Sequence, residues 1–90
     1  MTISWDHRKS IANRKKHGVS FELAQEVFSD PLHLSVKDRV EHGEERWQTL
    51  GQVCGVVLLL VAHTYGEDSI RIISARKATK HERRQYEQSR

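Results

Sequence analysis

The chain has a single cysteine, Cys54, and a single proline, Pro31. One thiol cannot form an internal disulfide and no second one completes a cysteine-based metal site, so the cysteine usage points to a reducing compartment, the cytoplasm. None of the six histidines falls in an HExxH or His-x-x-x-His pattern on a helix, so no metal and no other cofactor is expected. Long apolar runs are also absent. The longest, residues 56–62, has the length of a buried strand and is far short of the ~20 residues that a membrane-spanning helix needs. Trp5 and Asp6 interrupt any apolar stretch at the N-terminus, so no signal peptide is read there.

No repeat, low-complexity tract or Pro/Gly/Ser-rich linker divides the 90 residues, which read as one domain, 1–90. A domain of this size buries only about two-thirds of its unfolded surface. Its core is therefore thin, and a partner chain would add to it.

What the chain does have is segregated charge. Residues 1–18 carry five Lys/Arg against Asp6, and residues 71–90 carry seven against Glu82 and Glu87. Residues 19–70 carry three against nine Asp/Glu, so ends of +4 and +5 flank a centre of −6 within a net charge of only +3. Basic ends of this kind form an electrostatic footprint whose commonest partner is a phosphate backbone. The densest segment lies near the C-terminus, where the alternating IRIISARKA runs directly into TKHERRQYE.

The local pattern predicts an α+β fold. Residues 2–5 alternate as a short edge strand. Asp6 is placed to cap a first helix, His7 to His17, which Gly18 closes in the left-handed region. Ile11 and Ala12 are its few apolar anchors. Ser20 caps a second helix whose stripe is Phe21, Ala24, Val27 and Phe28, and Asp30-Pro31 ends it. Strands follow at 32–40, 46–51, 56–64 and 69–77, joined by a turn at His42-Gly43, a tight connection at 52–55 and a turn at Tyr65-Gly66-Glu67-Asp68. The apolar 56–62 is expected at the centre, covered on both faces. Thr79 with Glu82 forms a capping box that opens a terminal helix. The expected architecture is a small antiparallel β-sheet flanked by helices, in the order β-α-α-β-β-β-β-α.

If the 65–68 turn is tight, Ala62 faces Arg71 and His63 faces Ile70, while the preceding hairpin brings Glu45 and Arg46 close to Val61 and Ala62. His63, Glu45, Arg46 and Arg71 then gather at one end of the sheet. Those are the ingredients of metal-free RNA cleavage: His63 or Glu45 to carry protons to and from the 2′-hydroxyl and the leaving 5′-oxygen, and arginines to stabilise the charge on phosphorus. A one-residue slip in register would send two of these side chains to the other face. Arg76 and Lys77 lie further along the last strand and suit phosphate holding. Lys16 and His17 end the first helix, where the dipole also favours them. Tyr86 is placed to stack on a base or to pack.

With these residues in view, the chain resembles the BrnT toxins of type II toxin-antitoxin modules nearly from end to end. The matching stretches are WDHRKSIANRKKHGVSFELAQEVFSDP, GEERWQTLG and VAHTYGEDSIRIISARKATKHERRQYE. The resemblance implies a fold similar to the RelE-like toxins and a ribonuclease activity that arrests translation. It also implies a BrnA-type antitoxin that covers the toxic surface and supplies a ribbon-helix-helix DNA-binding domain. The complex, a hetero-oligomer, would repress its own operon, with operator DNA contacted through the antitoxin. Lys16, His17, Glu45, Arg46, His63, Arg71, Arg76, Lys77 and Tyr86 fall inside the matching motifs. Two other readings fit the same charges: a module that binds RNA or DNA without cutting it, and an inactive toxin homologue kept as an assembly subunit.

Overall fold

The computed structural model describes residues 1–89. Five strands form one sheet in the spatial order β1-β5-β4-β3-β2, with β1 at Thr2–Ser4, β2 at Leu34–Glu41, β3 at Glu44–Val53, β4 at Val57–Gly66 and β5 at Ser69–Lys77. The helices are α1 at His7–His17, a short α2 at Phe21–Ala24 that tightens into a 3-10 turn at Gln25–Ser29, and α3 at Lys80–Gln88. The sheet is mixed, which corrects the expectation of an antiparallel one: β1 runs parallel to β5, pairing Thr2 with Ser69 and Ser4 with Arg71. As an edge strand that leads directly into α1, it has no hairpin partner and docks on the free side of β5. β4 is central, and its alternate residues Leu59 and Val61 on one face and Leu58 and Leu60 on the other are all buried.

Local signals place the ends of the helices. The Asp6 carboxylate accepts from the amides of Arg8 and Lys9, and Gly18 closes α1 at φ 74° with its N–H donating to Arg14 O. The Ser20 hydroxyl caps α2, and the Thr79–Glu82 capping box opens α3. The anchors of α1 differ from those expected. Ile11 is 46% exposed, and the buried residues of α1 are Ser10 and Asn13. Polar side chains take the anchoring role because the main chain of β5 is unpaired beyond β1. Asn13 Nδ2 donates to Ala75 O at 2.9 Å and Asn13 Oδ1 accepts from Ala75 N at 3.2 Å, as a neighbouring strand would. Asn13 also donates to Val19 O at 2.8 Å, and Ser10 Oγ accepts from Phe21 N at 3.0 Å. α1 is thus tied both to β5 and to the start of α2.

One face of the sheet carries the main core, where Phe21, Ala24 and Val27 pack on Val53, Leu59, Val61 and Ile72. The 3-10 turn presses so closely on β3 that a Cβ at Gly51 would lie 2.7 Å from Val27 Cβ and 2.9 Å from Val27 O. The single helix expected through Phe28 tightens at this contact. The other face carries a smaller cluster of Leu50, Leu58 and Leu60 under Tyr86 of α3.

Register departs from expectation in both hairpins. The β4–β5 turn is centred on Glu67-Asp68, with Asp68 at φ 50°, so Gly66 faces Ser69, Thr64 faces Arg71 and His63 faces Ile72, with a bulge beyond His63. In β3–β4 the left-handed pair Cys54 and Gly55 moves the turn toward the C-terminus, so Trp47, not Glu45 or Arg46, lies level with His63. β2 begins at Leu34 instead of residue 32 because Asp30 holds a turn, its carboxylate accepting from Leu32 N and its carbonyl from His33 N.

Candidate nucleic-acid interface

The register sorts the predicted site residues onto opposite faces. His63 shares the core face with Trp47, Thr49 and Val61, whereas Arg46, Thr64 and Arg71 project from the other. His63 is fully buried and lies edge-to-face against Phe28 and Tyr65, with ring centroids 5.0 Å away in each case. Its Nε2 shares a 2.6 Å hydrogen bond with Thr49 Oγ1, which in turn meets Ser35 Oγ at 2.7 Å. Burial pushes the imidazole down to about 4, opposed in part by the backbone of Thr64. His63 Nδ1 is buried and has no partner of good geometry. An imidazole so enclosed is neutral near pH 7 and has no solvent-exposed edge in this structure. Glu45 is also on the core side of the sheet, at its exposed end, where it pairs with Lys37 at 2.8 Å.

What the structure brings together lies on the face that α3 leaves open. Successive rows cross four strands. The row Leu34, Leu50, Leu60 and Arg76 is followed by Val36, Gln48, Ala62 and Ser74, and then by the pairs Arg39–Arg46 and Thr64–Arg71, which alternation past Trp47–His63 sets side by side. Rows two residues apart along a strand are separated by about 7 Å. Arg71 Nη2 meets Glu44 Oε1 at 2.7 Å. Arg39 holds Glu41 and Asp38, and its hydrogen bond is the chief reason the Glu41 carboxyl sits below its ordinary range, with the charge of Arg46 adding to it. Arg46 forms no ion pair among the described residues, and its Nε is buried without an acceptor. A buried donor left in that state costs about 1–3 kcal/mol.

The remaining predicted residues are dispersed. Arg76 makes a bidentate pair with Glu82 at 2.8 and 2.9 Å. That pair is the main cause of the Glu82 carboxyl's fall to about 2, and it secures the first turn of α3. Tyr86 is only 2% exposed and packs on Leu50, Leu58 and Leu60, the packing alternative of the two that the sequence offered. Lys77 faces Leu59 and so belongs to the core side, and Lys16 and His17 end α1. Glu44, Thr64 and Arg39 were missed. The strand parity of GEERW could have found Glu44, since alternation puts Glu44 and Arg46 on one face and Glu45 on the other. Among the described residues no group of three or more His, Cys, Asp or Glu side chains converges to hold a metal ion, and no helix is long and apolar enough to cross a membrane.

A helix-backed mixed sheet with one face partly open and set with arginines defines a small α+β protein. The family model described as the ribonuclease toxin BrnT of type II toxin-antitoxin systems matches residues 5–82, and the chain belongs to that family. The crystal structure of the Brucella abortus ribonuclease toxin BrnT is similar to it, with a TM-score of 0.66 and 27% identity over 89% of this chain and 99% of that one. No curated protein matches the chain. A type II toxin implies an antitoxin partner.

Proposed function

We propose that this chain is the toxin of its module, a RelE-like endoribonuclease that cleaves RNA without a metal ion and so arrests translation. The observation that carries the reading is that Arg46 and Arg71 share the open face, where strand alternation past the Trp47–His63 pair sets Arg46 next to Thr64 and Arg71 faces Thr64, and that Arg46 forms no ion pair among the described residues. Two guanidiniums so placed would clamp the scissile phosphate and stabilise the extra negative charge of the pentacoordinate state. Glu44, already hydrogen-bonded to Arg71, takes the proton-carrying role that the sequence suggested for Glu45. It removes the 2′-hydroxyl proton, O2′ bonds to phosphorus, the bond from phosphorus to the 5′-oxygen breaks, and solvent protonates that oxygen. The products are a 2′,3′-cyclic phosphate and a free 5′-hydroxyl. Lys16, His17 and Lys77 lie away from this face and Arg76 is held by Glu82, so the reading rests on Arg46 and Arg71. A BrnA-type ribbon-helix-helix antitoxin neutralises the toxin, and the hetero-oligomer represses its own operon through the antitoxin's DNA contacts.

Incubation of the purified chain with RNA and with a translating extract, each with and without EDTA, tests this reading. Cleavage that survives EDTA and leaves 2′,3′-cyclic ends is the expected result. The burial of His63 favours one other reading, in which the arginine face binds RNA without cutting it. A folded sample that binds RNA with steep salt dependence and yields no product in either assay would establish that one.

A further inference from the structure

The arginine row is bordered by an apolar groove of about 480 Å³, floored by Leu34, Leu50 and Leu60, edged by Val36 and walled by Glu82 and Gln85 of α3. Val36 is 59% exposed, an unusual state for a valine beside three leucines. The row Val36, Gln48, Ala62 and Ser74 lies between the groove's leucines and the arginines, about 7 Å from each. An α-helix about 10 Å in diameter laid along that middle row reaches both neighbours. Four strands are about 14 Å across, a length that roughly ten helical residues cover.

We infer that this groove is the seat of an amphipathic helix of the antitoxin, its apolar stripe on Leu50, Leu60 and Val36 and its carboxylates turned to Arg46 and Arg71. The inference rests on the family reading above, which supplies the partner, and adds where and how it docks. Charge complementarity selects the occupant. On one flank Arg46 forms no ion pair among the described residues and Arg71 has one carboxylate partner, Glu44, whereas the other flank carries the negative charge of Glu82. Seated there, the helix necessarily covers the phosphate site, so inhibition needs no conformational change in the toxin.

β2 supplies its own control. The bulge between Lys37 and Arg39 reverses the alternation, so Val36, facing Gln48, lies on the groove side and Val40, facing Glu45, lies on the core side. Both are 59% exposed. Affinity for the cognate antitoxin is measured by calorimetry for the unmodified chain, Val36→Asp and Val40→Asp, together with RNA cleavage and the sedimentation of the toxin alone. Val36→Asp is expected to weaken antitoxin binding by at least about 30-fold and Val40→Asp by less than about threefold, with cleavage by the free toxin unchanged in both. Equal effects of the two variants, or an effect of Val40→Asp alone, overturn the groove while leaving the family reading intact. A toxin dimer broken by Val36→Asp without change in antitoxin affinity makes the groove a self-interface and overturns its assignment to the antitoxin. Failure of the unmodified chain to bind the antitoxin overturns both readings.

Discussion

Tyr86 Oη donates a 2.5 Å hydrogen bond to Asp30 Oδ2, 56 residues earlier in the chain. The same oxygen of Asp30 accepts from the amide of Gln52 at 2.7 Å, so one carboxylate joins the end of the 3-10 turn, β3 and α3. Partial burial would raise its pKa, but the bonds from Tyr86, Gln52 and Leu32 outweigh that and hold it below the usual aspartate value. α3 has Tyr86 as its buried residue, and this bond together with the Arg76–Glu82 pair sets the helix over the leucines that floor the groove.

Tyr86→Phe keeps the ring and deletes the bond to a charged acceptor. Stability should fall by about 1–2 kcal/mol, a drop of about 5–15 °C in Tm for a domain of this size. Amide exchange in α3 should accelerate more than in α1. Uniform acceleration across both helices would mean that Tyr86 does not hold α3 in particular.

His63 makes stability depend on pH. Its folded pKa, about 4, lies below the ordinary 6.5, so between those values the unfolded chain binds a proton that the folded one refuses. Stability is therefore full above about pH 6.5 and falls as the pH drops toward 4, by about 3 kcal/mol for a shift of this size. Denaturant titrations across that window should show the slope, and His63→Gln should flatten it. Titration of the imidazole near pH 6.5 by NMR would contradict the burial of His63.

Asn13 stands in for a missing strand. Asn13→Ala leaves the N–H and C=O of Ala75 buried and unpaired and should cost about 3 kcal/mol. Asn13→Asp retains an acceptor for Ala75 N and loses the donor to Ala75 O and Val19 O. It should also be destabilising, most strongly at neutral pH. A loss below about 0.5 kcal/mol for Asn13→Ala, within the range of ordinary surface substitutions, would show that water replaces the side chain at no cost.

For the arginine face, the outcome separates chemistry from binding. Arg46→Ala and Arg71→Ala should each lower RNA cleavage by about 100-fold or more and reduce the slope of log affinity against log salt by about 0.7. Arg46→Lys should rescue little, because an ammonium cannot reproduce the planar fork. Glu44→Gln should lower cleavage while leaving RNA affinity intact, and Glu45→Gln should do neither. Loss of cleavage in Glu45→Gln with none in Glu44→Gln would return the proton transfer to the residue that the sequence first suggested.

The sequence by itself determined the order of the elements and the caps of α1 and α3, because these depend on neighbours in the chain. Asp6 and Gly18 bound α1, Thr79 and Glu82 open α3, and the apolar run lies in the central strand from Val57 onward. The motifs KHGVSFE and RIISARKA carried the family resemblance. Tertiary structure decided which side chains meet. Left-handed residues at Cys54, Gly55 and Asp68 and bulges in β2 and at the β4–β5 pairing moved each hairpin by a few residues. In a sheet with a two-residue period, register and bulges decide whether a side chain meets solvent or core. Packing against Phe28 and Tyr65 enclosed His63, alternation put Glu45 on the face opposite Arg46, and the register set Thr64 against Arg71, with Glu44 hydrogen-bonded to Arg71. Ser10 and Asn13 were illegible for the same reason: a polar side chain becomes an anchor only where another segment leaves its main chain unpaired, and only the assembled sheet shows where that is.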